Sequence, residues 1–194
     1  MAKRKPKKFA RGPKRAGNVR PSAGGAVSVR CHPSGNGWLL VHPRGARERS
    51  EDLEEVREMI AAGELEIAVD ELRWLLSGCS EFMDAHVLLG ELAIEKDNDL
   101  PLARGHYGIA YQLGLQTLRR AGMPAPLPYE HPANRPFHAA GRGLAWCLEK
   151  IGQRALADEV VKTLVELDPT DPLQSRAMLD DLRSGGLPIV ELGP

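Results

Sequence analysis

The side chains able to do acid–base, nucleophilic or metal chemistry are few and scattered. Cys79, His86, Glu91 and His106 fall on stretches that read as neighbouring helices, so packing can cluster them. Cys31, His32 and His42 form a second set near the front of the chain. Neither set has the paired spacing of a zinc site. No Gly-x-Ser-x-Gly, no phosphate-binding glycine loop and no His-Glu-x-x-His occurs. A histidine on a packed helix is more often structural than catalytic. The run Glu51, Asp52, Glu54, Glu55 and Glu58 reads as a solvated helix face. The sequence therefore predicts no enzyme, no cofactor and no metal site.

Charge is the stronger signal. The formal total is zero, but residues 1–50 hold thirteen Lys/Arg and one acid, whereas 51–194 hold thirteen Lys/Arg and twenty-five Asp/Glu. Lys3, Arg4, Lys5, Lys7, Lys8, Arg11, Lys14 and Arg15 crowd the front, with Pro6, Pro13 and Pro21 among them. Like charges repel, and almost nothing apolar offsets the entropy of ordering, so residues 1–25 are expected to be a disordered basic tail. The basic run suits salt-sensitive electrostatic contact with RNA, DNA or an acidic surface. The same run is also what a solvated tail, or one that pairs with the acidic body, would carry.

Three widely spaced cysteines make no disulfide framework. No apolar segment follows the basic start, and the longest uncharged run, "GHYGIAYQLGLQTL", is too short and polar to span a bilayer. The expected setting is cytoplasmic, without membrane contact.

What must position these residues is a helical body. Residues 26–48, with Val27, Val29 and Cys31 alternating before "HPSGNG" and "WLLV", read as an extended connector or loose hairpin. From Ser50 a helical period takes over, with Ser50 as candidate N-cap and Gly63 as the stop. Six more helices follow: "ELEIAVDELRWLL" with Ile67, Ala68, Leu72, Leu75 and Leu76 inward, "EFMDAHVLLGELAIEK", "LPLARGHYGIAYQLGLQTLRR", "RPFHAAGRGLAWCLEK", "ALADEVVKTLVEL" and "PLQSRAMLDDLRS" with Pro172 near its first turn. Residues 185–194 form a C-terminal tail. A Pro-rich insertion, 121–136, forbids a helix and favours a stiff extended path. Its Tyr129, His131 and Asn134 make either a sticky surface or a loop that merely spans the stack.

The helices repeat an interval. Val56 leads to Ala68, Leu72 and Leu75; Gly90 leads to Ala103, Tyr107 and Ala110; Ala145 leads to Ala157, Val161 and Leu164. Small residues let two backbones approach, and the larger residue one turn later fills the space below the crossing. Overpacking there costs about 1–3 kcal/mol.

This pattern resembles the tetratricopeptide repeat (TPR). The match is carried by Leu89-Gly90 with Ala103, Tyr107 and Ala110, by Leu144-Ala145 with Gly152, Ala157 and "LDPTDP", and loosely by Gly63 with Ala68 and Leu72. The blocks "LRWLLSGC", "LARGHYGIAYQLG" and "GLAWCLEKIG" are also similar to stand-alone bacterial TPR-like proteins of unassigned function. The sequence departs from the repeat at His86 and Gly141, where an aromatic is usual, at Ala93 and Leu148, where a tyrosine is usual, and at Val56. The resemblance implies an all-α, right-handed stack of about three helical hairpins over 49–184, closed by a capping helix. It implies a concave face lined by Leu53, Arg57 and Ile60, then Val87, Glu91 and Ile94, then Arg142, Trp146 and Glu149. The expected function is a non-enzymatic adaptor that binds a protein or peptide segment there, with a nucleic-acid- or ribosome-associated protein held by its tail as the alternative. The Lys and Asn pattern that clamps a peptide carboxylate is missing.

Overall fold

The computed structural model describes residues 25–185. The expected basic tail before Gly25 and the tail after Gly185 lie outside the described residues. Two strands, β1 (Ser28–Cys31) and β2 (Trp38–Val41), come first. Eight helices follow among the described residues: α1 (Arg44–Glu48), α2 (Ser50–Ala61), α3 (Leu65–Gly78), α4 (Met83–Asp97), α5 (Leu100–Arg120), α6 (Arg135–Lys150), α7 (Arg154–Leu167) and α8 (Ser175–Ser184). The protein is mostly helical with one small two-stranded sheet, and no helix among the described residues is long and apolar enough to cross a membrane.

The helix ends follow from local chemistry. Gly63 and Gly152 both take φ of +79°, a conformation that favours glycine. Each closes its helix with the same pair of bonds. Gly63 N–H donates to Ile60 and Glu64 N–H to Met59; Gly152 N–H donates to Glu149 and Gln153 N–H to Leu148. α3 and α7 also end alike, in the extended residues Cys79 and Asp168. At the start of α5, the Asp99 carboxylate accepts from Leu102 N–H at 2.9 Å.

Two expected boundaries move. Ser50 is the first residue of α2 rather than its cap, because the short helix α1 and Arg49 lead straight into it. Pro172 lies outside α8. The chain turns through Asp171 and Gln174 at positive φ, and the Asp171 carboxylate caps α8 by accepting from the Ser175 and Arg176 N–H groups.

Consecutive helices from α2 to α7 pack on one another in order; α4 also packs on α6, and α6 on α8. Ala68, Ala103 and Ala157 are all fully buried at these crossings, as are Val56 and Ala145. Ile67, expected inward, is 55% exposed, because it faces away from the α2 side that Ala68, Leu72 and Leu75 fill. Two apolar clusters result, one joining α1–α4 and one joining α4–α8 with the hairpin.

β1 and β2 pair antiparallel, Ser28 against Val41, and the hairpin is tied to the Pro-rich insertion. Trp38 N–H donates to the Pro126 carbonyl at 2.8 Å. Asn134, one of the three residues for which a sticky surface is one of two alternatives, is wholly buried. Its amide nitrogen donates to the Trp38 and Pro128 carbonyls at 2.9 and 2.8 Å, and its oxygen accepts from Leu40 N–H at 3.0 Å. The far side of the insertion is fixed by Leu127, whose N–H donates to Leu167 O at 2.7 Å and whose carbonyl accepts from His138 Nε2 at 2.8 Å. Tyr129 N–H donates to the Asp168 carboxylate at 2.8 Å. A run of prolines offers few donors of its own, so neighbouring segments of the chain supply the partners its carbonyls need.

Candidate functional site

α2, α4 and the first turn of α6 bound a cavity of about 650 Å³. The hairpin contributes His42 to its wall and the insertion contributes Tyr129, Pro132 and Arg135. Leu53, Phe82, Val87 and Leu88 supply apolar surface, and Glu54, Arg57, Asp84 and Glu91 supply charge. Helical spacing sets this arrangement: Asp84, Val87, Leu88 and Glu91 recur on one face of α4, and Leu53, Glu54 and Arg57 on one face of α2.

The charges are unevenly compensated. Arg57 lies 3.4 Å from Glu54 and 3.5 Å from Asp84. Burial pushes the Asp84 carboxyl up from its ordinary value, against the pull of His42 and Arg57. Glu91 is a solvent-exposed residue, yet the protein around its carboxylate also pushes it up, again against Arg57. Arg135 is turned toward the Tyr129 ring, 5.7 Å from its centroid. His42 Nε2 sits 2.7 Å from the Ala133 carbonyl, which can only accept, so that nitrogen carries the proton. Its Nδ1 is buried and without a hydrogen-bond partner among the described residues.

Of the nine positions expected on a concave face, Leu53, Arg57, Val87 and Glu91 share this cavity. Ile60 and Ile94 are half-buried and packed on the two apolar clusters instead. The third group is turned toward α8. Arg142 Nε donates to the Leu173 carbonyl at 3.0 Å. Trp146 lines a shallower depression with Ala177, Met178 and Leu182, and the Lys150 ammonium lies 5.6 Å from its ring centroid. Glu149 is only 8% exposed. It accepts from Arg183 at 2.8 Å and pairs with Arg154 at 3.1 Å, and the Arg183 bond holds its carboxyl below the usual range. α8 and the turn before it thus occupy the neighbourhood of the third group. The tail residues Lys3, Arg4, Lys5, Lys7, Lys8, Arg11, Lys14 and Arg15 lie outside the described residues.

The scattered histidines and cysteines resolve into separate contacts. His86 Nε2 lies 3.2 Å from the Ser80 carbonyl and therefore donates; its Nδ1 then accepts from His106 Nδ1 at 3.2 Å. Burial pushes both imidazoles below their ordinary value. Glu91 lines the cavity described above, not this pair. His32 stacks on His131 at 4.4 Å, away from His42. No group of three His, Cys, Asp or Glu suited to a metal exists among the described residues.

His42, Asp84, Tyr129 and Arg135 were not singled out by sequence as lining residues of a shared site. Asp84 alone carried a usable signal, one turn before Val87 on the same face. His42 reaches the site through a contact with Ala133 across 91 positions, which no local pattern announces. No family model, no curated protein and no solved structure matches this chain.

Proposed function

We propose that this protein is a TPR-like adaptor whose cavity between α2, α4 and α6 binds an extended segment of a partner protein. The repeat reading is supported by recurrence at one constant offset. Gly63 and Gly152, Ala68 and Ala157, Leu75 and Leu164, and Cys79 and Asp168 correspond pairwise in both sequence interval and local backbone. α2–α3, α4–α5 and α6–α7 are then three hairpins, and α8 is the cap that shields one end of the stack.

The observation that carries the binding role is the make-up of the cavity. It joins an apolar floor of Leu53, Val87 and Leu88 to two carboxyls, the half-buried Asp84 and the exposed Glu91, which has no ion-pair partner among the described residues. An unpaired carboxylate is stabilised by a cationic donor, and apolar lining favours a segment with a hydrophobic anchor. Stacked helical hairpins bind extended segments on their inner surfaces in this manner.

The test is selection of a random peptide library on the full chain, followed by anisotropy titrations of the enriched peptides. Enriched peptides should combine Lys or Arg with an apolar residue and bind at least tenfold more weakly to Glu91→Lys. Enrichment of nothing, or peptides indifferent to Glu91→Lys and Arg57→Glu, would overturn the proposal.

A further inference from the structure

The cavity lies where the described chain begins. β1 and β2 pair with Ser28 opposite Val41, so the next position on each strand sets Val27 beside His42. His42 is in the cavity wall. Val27 is fixed by its backbone: its N–H donates to the Glu81 carboxylate at 2.8 Å and its carbonyl accepts from Thr117. Glu81 immediately precedes Phe82, another lining residue. Residues 1–24 therefore lead into a position whose neighbours, along the strand pair and along the chain from Glu81, are the lining residues His42 and Phe82.

The charges of the two parts are opposite. Residues 1–24 hold nine Lys/Arg and no acid; residues 25–185 hold seventeen Lys/Arg and twenty-five Asp/Glu. Within the cavity, Arg57 already serves Glu54 and Asp84, and no ion pair among the described residues engages Glu91. Arg135 is directed to Tyr129 and the Glu130 carbonyl. The remaining lining cation, Arg47, lies on α1.

Spacing agrees as well. Asp84 and Glu91 are two turns apart on α4, roughly 10.5 Å along the axis. In an extended chain, residues three apart are separated by about 10 Å, and in the polyproline conformation they share one side. Lys5 and Lys8 have that separation, with Pro6 between them and Phe9 next in line.

We infer that the chain's own residues 3–15 are an occupant of this cavity, with Lys5 and Lys8 set against Asp84 and Glu91 and Phe9 on the apolar floor. This rests on reading the cavity as a trough for extended segments. Sixteen residues from Phe9 to Gly25 form a tether with a root-mean-square span of roughly 22 Å, comfortably longer than α4's run from Phe82 to Glu91, roughly 14 Å. A tether of that kind raises the local concentration to about the millimolar range. Even a contact too weak to detect between separate molecules is then substantially filled. A partner segment must displace it, so the tail sets a threshold for binding.

Zero-length carbodiimide cross-linking of the full chain, mapped by mass spectrometry, tests this. The expected product is monomeric, with an amide between Lys5 or Lys8 and Asp84 or Glu91. Its yield falls several-fold in about 1 M salt, where the Debye length is about 3 Å. Glu91→Gln, a change at an exposed residue, removes the Glu91 link while the Asp84 link and the fold remain. Links that go only to Glu51, Glu55 and Glu58, links only between molecules, or no salt-sensitive link at all would overturn the inference. Those failures leave the adaptor reading standing if library peptides still discriminate Glu91→Lys. Loss of that discrimination with the tail links intact sinks the adaptor reading alone.

Discussion

Tyr107 of α5 lies against Gly90 of α4 so closely that a Cβ on Gly90 would come within 2.7 Å of its ring. A Cβ on Gly143 of α6 would meet the same ring at the same distance. One aromatic side chain thus separates two helices that lack side chains where it sits. Tyr107 is 7% exposed, and burial pushes its phenol pKa far up.

Gly90→Ala and Gly143→Ala should therefore each destabilise the fold by about 1–3 kcal/mol through overpacking, despite alanine's better helix propensity. Gly105→Ala is the control: it lies in the same α5 with nothing within 4 Å of a built Cβ. It should gain up to about 1 kcal/mol. Urea midpoints at constant m-value measure all three.

Asn134→Leu should cost about 1–3 kcal/mol or more, because it leaves the buried Leu40 N–H and the part-buried Trp38 and Pro128 carbonyls without their partner. Hydrogen exchange should show the Leu40 amide losing protection while Ala103 and Ala157 keep theirs. Uniform loss across all three would mean that the hairpin and insertion are not a separable strap.

Glu149→Gln should loosen α8 without unfolding α2–α5, since Arg183 bonds both Glu149 and Asp158. Increased exchange confined to Met178–Ser184 is the expected result. An unchanged α8 would mean that its apolar contacts through Met178 and Leu179 suffice.

Acid should weaken the fold through buried neutral histidines. Burial pushes His86, His106 and His138 below their ordinary value. The unfolded chain then takes up protons first. Stability is full above the ordinary histidine pKa of about 6.5 and is lost as pH falls through it toward the folded values. Asp84 and Glu91, pushed the other way, gain stability as pH falls. His106→Gln should thus flatten the decline in urea midpoint between about pH 7.5 and pH 5.5, the region that brackets the ordinary histidine value. An unchanged slope would assign the decline elsewhere.

The sequence carried the helical body because its information is local and periodic. Small residues at matched intervals mark Ala68, Ala103 and Ala157, and all are buried. Glycines at helix ends mark Gly63 and Gly152, and both take positive φ. Ile67 misled because it neighbours Ala68 on a helix with only one covered side. The site was half legible. Leu53, Arg57, Val87 and Glu91 came with the resemblance to the repeat and share one cavity, whereas His42, Tyr129 and Arg135 arrive by long-range contacts between hairpin and insertion. The burial of Glu149 depends on Arg183 across 34 positions, which no window along the chain reveals.

The most direct measurement of the central claim is backbone chemical-shift mapping on the full, isotope-labelled chain with a library-selected peptide. The account predicts saturable shifts at Leu53, Arg57, Val87, Glu91 and Ala139, with the α5–α7 surface around Ile109 and Leu156 unmoved. Shifts centred on Ile109 and Leu156, with α2 and α4 silent, would contradict it.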